Sequence, residues 1–565
     1  MKAPPNDPVS PSSPPQRDEW VHLLVLAFAA FIPVLPLILN GCSCGHDFNF
    51  HLLNWMEVAR QFTHGNLHPH WAFSPAYNAG EPRFVFYPPL SWTIGAILGL
   101  LMPWTWTPIV YTWLALTAAG LALYRLAREF VTPNPALLAA AFYLVNPYTL
   151  FTAYERTAYA ELLAAAWIPL LLLAIFRKHV TIPRIAIPIA LLWLTNDPAA
   201  VMGCYALALL TVIRLLLPGA NSITRTQIAT KVTTGTLLGL GLAAFYVLPA
   251  DYERRYIQIA TVLAPGTRVQ NNFLFHHTLN PIHDAVLKTA SIIAVVLLTL
   301  TTIALAAAAT HSSPPKSRVP QKLIYSLTIL TIAIAFLLTP LSNPIWQHVP
   351  DLPFLQFSWR LLAILAAAMS LAIGLALTSL KLKTLPTAAL SLSVAAALTL
   401  TAFHLYHQYC YPEDTVSASL AVFRSNTGTD PSNEYTPTAA SNTSLNQTNP
   451  PYWLIPSHSD INTNAPTGIP TGTAPTSLTL NSPMPQTLVL NLRDYPAWRI
   501  TLNQVTRTTR LHRSDGLIAF PIPAGLDHIT IVYAYTLDQI IGDLLTLISL
   551  PLLLLSLRHK TCPRP

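Results

Sequence analysis

The chain has 565 residues, of which 52% are hydrophobic and only 10% charged, against roughly 25% charged residues in ordinary soluble domains. That deficit excludes a water-soluble globular protein and makes lipid the solvent for most of the chain. The net charge of +8 is not a nucleic-acid footprint, because Lys and Arg fall in short loops between apolar runs, where they orient helices across a bilayer.

In chain order, the segment 1–19 is rich in Pro and Ser and lacks the basic start of a signal peptide. It reads as a cytoplasmic tail ahead of an uncleaved anchor. About twelve transmembrane helices are predicted, each an apolar run extended into its flanks to bilayer length: 21–39, 106–124, 135–145, 160–176, 185–194, 199–217, 232–248, 285–308, 323–338, 361–380, 387–405 and 540–557. The apolar stretch 88–102 is left out. Counting it would place Arg125/Arg128, Arg177/Lys178, Arg225/Lys231, Lys316/Arg318/Lys322, Lys381/Lys383 and Arg558/Lys560 outside the cell. Omitting it puts all of these clusters inside, as the positive-inside rule requires. The stretch therefore reads as a re-entrant or interface-lying helix opened by Pro88-Pro89. Both termini are then cytoplasmic, which suits a bacterial inner membrane.

With that parity the first loop (40–87), the turns at Tyr154–Tyr159 and Asn196-Asp197-Pro198, the loop 251–284 and the insert 406–536 share the extracytoplasmic side. The inner loops are short and carry no phosphate-binding glycine loop, so no nucleotide site is expected. Within the insert, 406–485 is rich in Thr, Ser, Asn and Pro, and much of it reads as loop or loosely ordered chain. Residues 486–536 alternate in polarity at Thr487–Leu492, Arg499–Leu502 and His528–Tyr533, between turns at Asn503-Gln504, Asp515-Gly516 and Ala524-Gly525. They form a small antiparallel β-module, sandwich-like, before the last helix and tail (537–565). Five cysteines are too few for a disulfide scaffold. Cys204 reads as packing, and either Cys42 or Cys44 is placed to pair with Cys410.

Ionisable groups at helix ends or membrane depth are costly and mark functional sites by default. The first loop opens with Gly45-His46-Asp47, followed by an amphipathic helix carrying His51 and Glu57. Asp47 suits a general base toward a hydroxyl, a ligand for a divalent cation such as Mg or Mn, or simply the helix N-cap. Glu57 is a catalytic candidate or a solvated helix face. Glu81, Arg83 and Tyr87 follow in an aromatic, Pro-rich stretch. Tyr154-Glu155-Arg156, Glu161 and Phe357-Ser358-Trp359-Arg360 add further charges on the same side. Arg156 and Arg360 run against the positive-inside trend, and the planar guanidinium suits phosphate.

The pattern Gly45-His46-Asp47, Phe50-His51, Glu57, Gly65-Asn66-Leu67, Pro69 and Trp71, then Gly80, Pro82, Phe84 and Phe86-Tyr87-Pro88-Pro89-Leu90, resembles the membrane family labelled 6-pyruvoyl-tetrahydropterin synthase-related. Tyr154-Glu155-Arg156, Gln356–Arg360, Tyr495–Trp498 and Pro523-Ala524-Gly525 match its later landmarks. That family in turn looks like the GT-C class of polytopic glycosyltransferases. The resemblance implies a GT-C-like transmembrane domain over 20–405 and a sugar taken from a polyprenyl-phosphate carrier in membrane lipid. It also implies an inverting transfer, a catalytic acid at Asp47 and a second acidic group at Glu155 or Glu161. The sequence departs from the pattern at Asn196-Asp197-Pro198 and at Ser358. The competing expectation is a non-enzymatic envelope or transport protein that handles a lipid-linked or polar solute. Carboxylates buried midway along spans would favour it; carboxylates gathered at helix ends favour transfer.

Overall fold

The computed structural model describes residues 17–217, 222–310, 321–380 and 382–558. The segment 1–16, together with Lys316, Arg318, Lys381 and Lys560, lies outside the described residues. Among those described, nine helices are long and apolar enough to cross a membrane, from Glu19–Asn40 to Leu537–Arg558. Two more spans are broken. Thr224–Leu242 bends by 78° into Ala244–Tyr256, and Gln321–Leu337 bends by 90° into Pro340–His348, which gives up to 11 spans.

The expected dozen is not reached because 185–194 falls on Ile182–Trp193, only 12 residues long. At 1.5 Å per residue it covers roughly 18 Å, short of a bilayer core. Its end is fixed by the next helix, whose N-cap Asn196 accepts the Ala199 N–H through its side chain. The stretch 88–102 forms the helix Pro89–Leu101, 13 residues and again too short to span. It lies against the first-loop helix Phe48–Thr63. A Cβ at Gly95 would overlap the Trp55 indole, so glycine sets the close approach of these two helices.

The charged ends of the bundle differ. At one end Arg177 pairs with Glu129 at 2.8 Å and Arg128 lies 3.6 Å from Glu19. Arg125, Lys178 and Lys322 line cavities beside them. At the other end the first loop, the Glu155 turn and the insert are tied together. Cys44 is disulfide-bonded to Cys410, with a Cα–Cα distance of 4.9 Å, and Cys42 is free. Asn49 donates to Asp414 at 2.8 Å. Along the spans large apolar side chains face outward, and Leu537–Arg558 is only 11% buried, as lipid contact requires.

The module is a sandwich of two antiparallel sheets. One has the order β1 (Tyr452–Pro456), β3 (Gln486–Arg493), β6 (Leu517–Ile522). The other runs β2 (Ser477–Ser482), β7 (Gly525–Tyr533), β4 (Trp498–Leu502), β5 (Val505–Thr506). Leu488, Leu490, Ile500, Phe520, Ile529 and Ile531 fill the space between them. Two strands, β1 and β2, and the helix Val416–Ser425 lie in the segment expected to be loop. The module therefore begins well before residue 486. Trp71 of the first loop packs into its core between Tyr495 and Trp498, so loop and module share one hydrophobic cluster.

Candidate active site

The site grows from a backbone crossing. Gly45–Asp47 runs beside the turn Thr152–Arg156, a π-type helical turn of the kind that recurs at functional sites. The Asp47 N–H donates to the Arg156 carbonyl at 2.9 Å and the His46 N–H to the Glu155 carbonyl at 3.3 Å. A Cβ at Gly45 would collide with that Glu155 carbonyl, so only glycine permits the crossing. Thr157, left-handed at φ 47°, turns the chain into the helix that carries Glu161.

Asp47 occupies the N-cap position of Phe48–Thr63 but makes no side-chain capping bond. Its carboxylate is 44% exposed and lies 4.0 Å from Arg156 Nη2. Behind it the groups are buried. Arg156 Nη1 donates to Glu161 Oε2 at 2.6 Å, and its guanidinium lies 4.8 Å from the centre of the Trp359 ring. Tyr148, which sequence reasoning missed, gives its hydroxyl to Glu161 Oε1. Arg360 Nε is 3.8 Å from Glu161 Oε2, too long for a hydrogen bond, and has no partner. One Arg360 Nη donates to the Leu355 carbonyl at 2.8 Å. Two guanidiniums thus flank one buried carboxylate, with an exposed carboxylate in front.

His51 and Tyr87 line the approach. Their ring centres are 5.9 Å apart, and Tyr159 and Phe50 complete the aromatic wall. Burial pushes the His51 imidazole down to about 4, against the pull of Asp47 and with that of Arg156, so it is neutral at ordinary pH. Burial and the Asp47 carboxylate hold the Tyr87 phenol well above its ordinary value, while Arg360 opposes them. The phenol therefore stays protonated and is a donor.

Four sequence candidates lie elsewhere in the network. Glu57 is buried and takes bonds from Arg60 (2.6 Å), Gln61 (3.0 Å), the Ser74 hydroxyl (2.5 Å) and the N–H groups of Phe73 and Ser74. It clamps the first loop onto its helix and has no solvated face. Glu81 and Arg83 form a second clamp. Arg83 donates to Glu81 (2.7 Å), Asn54 (2.8 Å) and Ser432 (2.9 Å), and the Ser432 N–H returns to Glu81 at 3.1 Å. Glu155 accepts from the Gln408 amide at 2.6 Å, in contact with the insert rather than the arginine pair. Gln408 carried no signal in the sequence, since it lies at the exit of a span with no charged neighbour.

Among the described residues no group of three or more His, Cys, Asp or Glu side chains could hold a metal. A divalent cation at Asp47 would have a guanidinium 4.0 Å away and no three-residue ligand group around it, a poor match to the oxygen-rich shells that Mg binds. The donor set fits a proton acceptor better.

No protein-family model and no curated protein matches the chain, so the pterin-synthase-related label gains no support there. Solved structures do align with it. The arabinofuranosyltransferase AftD from Mycobacteria aligns at 16% identity with a TM-score of 0.41, over 68% of this chain and 26% of that one. The Archaeoglobus fulgidus oligosaccharyltransferase, in complex with Zn and sulfate, gives 15% identity and 0.36 over 73% and 54%. ArnT from Cupriavidus metallidurans, bound to undecaprenyl phosphate, gives 11% and 0.28 over 74% and 90%. The chain spans about a quarter of the length of AftD, and likeness of this degree leaves its own chemistry to be argued from the site.

Proposed function

We infer that the protein is a membrane glycosyltransferase that moves a sugar from a polyprenyl-phosphate carrier to an acceptor hydroxyl. One observation carries the reading: an exposed carboxylate, Asp47, stands before the buried Arg156 and the largely buried Arg360, which has an unspent donor. Buried Arg next to solvent-reachable space suits phosphate, since fixed donors cost nothing to reorganise as charge develops. The acceptor O–H attacks the anomeric carbon and its proton passes to Asp47. The bond from that carbon to the phosphate oxygen breaks, and the carrier leaves as a phosphate held by Arg156 and Arg360. Attack opposite the leaving group inverts the centre. His51, neutral, and Tyr87, protonated, face this space without adding charge.

The carboxylates of this cleft belong to helix ends and turns, which supports transfer over passage of a solute through the bundle. Basic groups at the far end, among them Arg125, Arg128 and Arg177, agree with a cytosolic placement of that end and an extracytoplasmic cleft. Glu57, Glu81 and Arg83 are assigned positioning roles. The test is Asp47→Asn. Loss of its proton acceptor lowers transfer of labelled sugar from undecaprenyl-phosphate carriers by about 10²–10⁴-fold, with unchanged melting temperature. Full activity in that variant sinks the reading.

A further inference from the structure

Beside the arginine pair is a second, separate space. A cavity of about 400 Å³ lies between the N-terminus of Asp197–Leu216, the broken segment Ala244–Glu253 and the turn Leu352–Leu355. It adjoins the cleft twice over. Phe86 on its wall precedes Tyr87, and Leu355 on its wall gives its carbonyl to Arg360. Its volume is that of an ordinary small-molecule pocket, and its walls mix aromatic and aliphatic groups with few polar ones.

The polar groups are specific. Asp197 forms part of the wall and uses only one of its oxygens. The Tyr246 hydroxyl is 2.6 Å from Oδ2, whereas Oδ1 is enclosed and without a partner. A buried acceptor left unpaired costs free energy that an entering donor recovers. At the mouth, Arg254 lies 3.1 Å from Asp251 and 3.8 Å from Asp351. Asp351 is held in the left-handed region at φ 58°. Two mouth carboxylates, Asp251 and Asp351, against one guanidinium leave the pocket entrance with surplus negative charge. That repels a phosphate and admits a neutral or cationic donor-rich group. Trp193, Phe86 and Phe354 supply flat apolar walls of the size of a sugar ring.

We propose that this pocket is the acceptor subsite, and that it holds a hydroxyl- or amine-bearing sugar unit by donation to Asp197. Its role as acceptor site rests on the transfer reading; its ligand chemistry does not. The carrier phosphate and the acceptor are thereby kept apart by charge, the first at Arg156 and Arg360, the second at Asp197.

The full chain in detergent is titrated with methyl β-D-glucoside, methyl α-D-mannoside and D-glucosamine, followed by saturation-transfer NMR, and separately with undecaprenyl phosphate. At least one sugar probe binds the wild type, and Asp197→Asn weakens it tenfold or more while carrier binding is unchanged. Ala250→Trp, which fills the cavity from its wall and leaves the Asp197 side chain in place, has the same effect and guards against a folding defect at Asp197. If the sugars bind and the carrier does not, the transfer reading fails and the pocket stands. If the carrier binds but no probe does, or both variants bind the probes like wild type, the subsite is overturned alone.

Discussion

The first-loop clamp and the arginine cleft are built from the same residue types and use them in opposite ways. Arg83 gives donors to Glu81, Asn54 and Ser432, and Glu81 accepts from the Ser432 backbone in return. The clamp is closed and buried. In the cleft Arg360 Nε has no partner and Asp47 is 44% exposed. A saturated ion pair holds a fold together; an incompletely spent one is available to a ligand. The distinction separates positioning from chemistry more sharply than burial or charge alone.

The largest effect tests the closed side. Arg83→Ala leaves Glu81 buried without its cation, and loss of one member of a buried pair costs about 3–5 kcal/mol. The expected outcome is a large fall in melting temperature in detergent and release of the insert to protease near Ser432. An unchanged melting temperature would erase the contrast between clamp and cleft.

A slightly smaller effect is expected from pH. Folded His51 stays neutral down to about 4, whereas the unfolded chain takes up the proton near 6.5. Its contribution is whole above about pH 6.5 and is lost as the pH falls towards 4, to a total of roughly 3 kcal/mol. Unfolding measured from pH 7 to pH 4 should lose stability in that window, and His51→Phe should flatten the curve. On the open side, Arg360→Gln should weaken undecaprenyl-phosphate binding about 10–100-fold, the equivalent of a charged hydrogen bond, with little change in melting temperature. A drop in stability without loss of binding would move Arg360 to the closed class.

How far the sequence reveals this depends on range. Apolar length predicts spans because the bilayer fixes it, and the short 89–101 helix was separable because its inclusion would have reversed every basic loop. Alternation located β3, β4 and β7. It missed β6, whose buried run Leu517–Ile522 does not alternate and contains Pro521, tolerable because β6 is the edge strand of its sheet, bridged on its outer side at Leu511–Ala519. It missed β1 and β2 because Pro- and Thr-rich flanks mask short strands. In the site, residue type flagged Asp47, Arg156, Glu161 and Arg360, since unpaired charge near a membrane is conspicuous in one dimension. Which oxygens are already taken is set by partners as distant as Gln408 and Ser432, and no local pattern encodes that. The disulfide shows the same limit: proximity allowed Cys42 or Cys44, and only the fold selected Cys44.

The smallest expected effect concerns Glu155, the carboxylate whose class is least obvious. It neighbours Arg156 in sequence, and its backbone carbonyl takes the His46 N–H, so a reaction role is tempting. Its side chain, however, accepts from a neutral amide, Gln408, whose own N–H and carbonyl are bound to Ser43 and Cys44. That chain of contacts ties the turn to the disulfide-linked start of the insert. Bonded to the insert and to neither guanidinium of the cleft, the Glu155 carboxylate stands apart from the Asp47, Arg156 and Arg360 group and serves the tie between turn and insert. Glu155→Gln keeps the shape and replaces a charged bond with a neutral one, at a cost of about 1 kcal/mol. Sugar transfer in that variant should stay within about threefold of wild type while the melting temperature falls slightly. A loss as large as that of Asp47→Asn would make Glu155 a catalytic residue and require a pair of carboxylates in the reaction, not one.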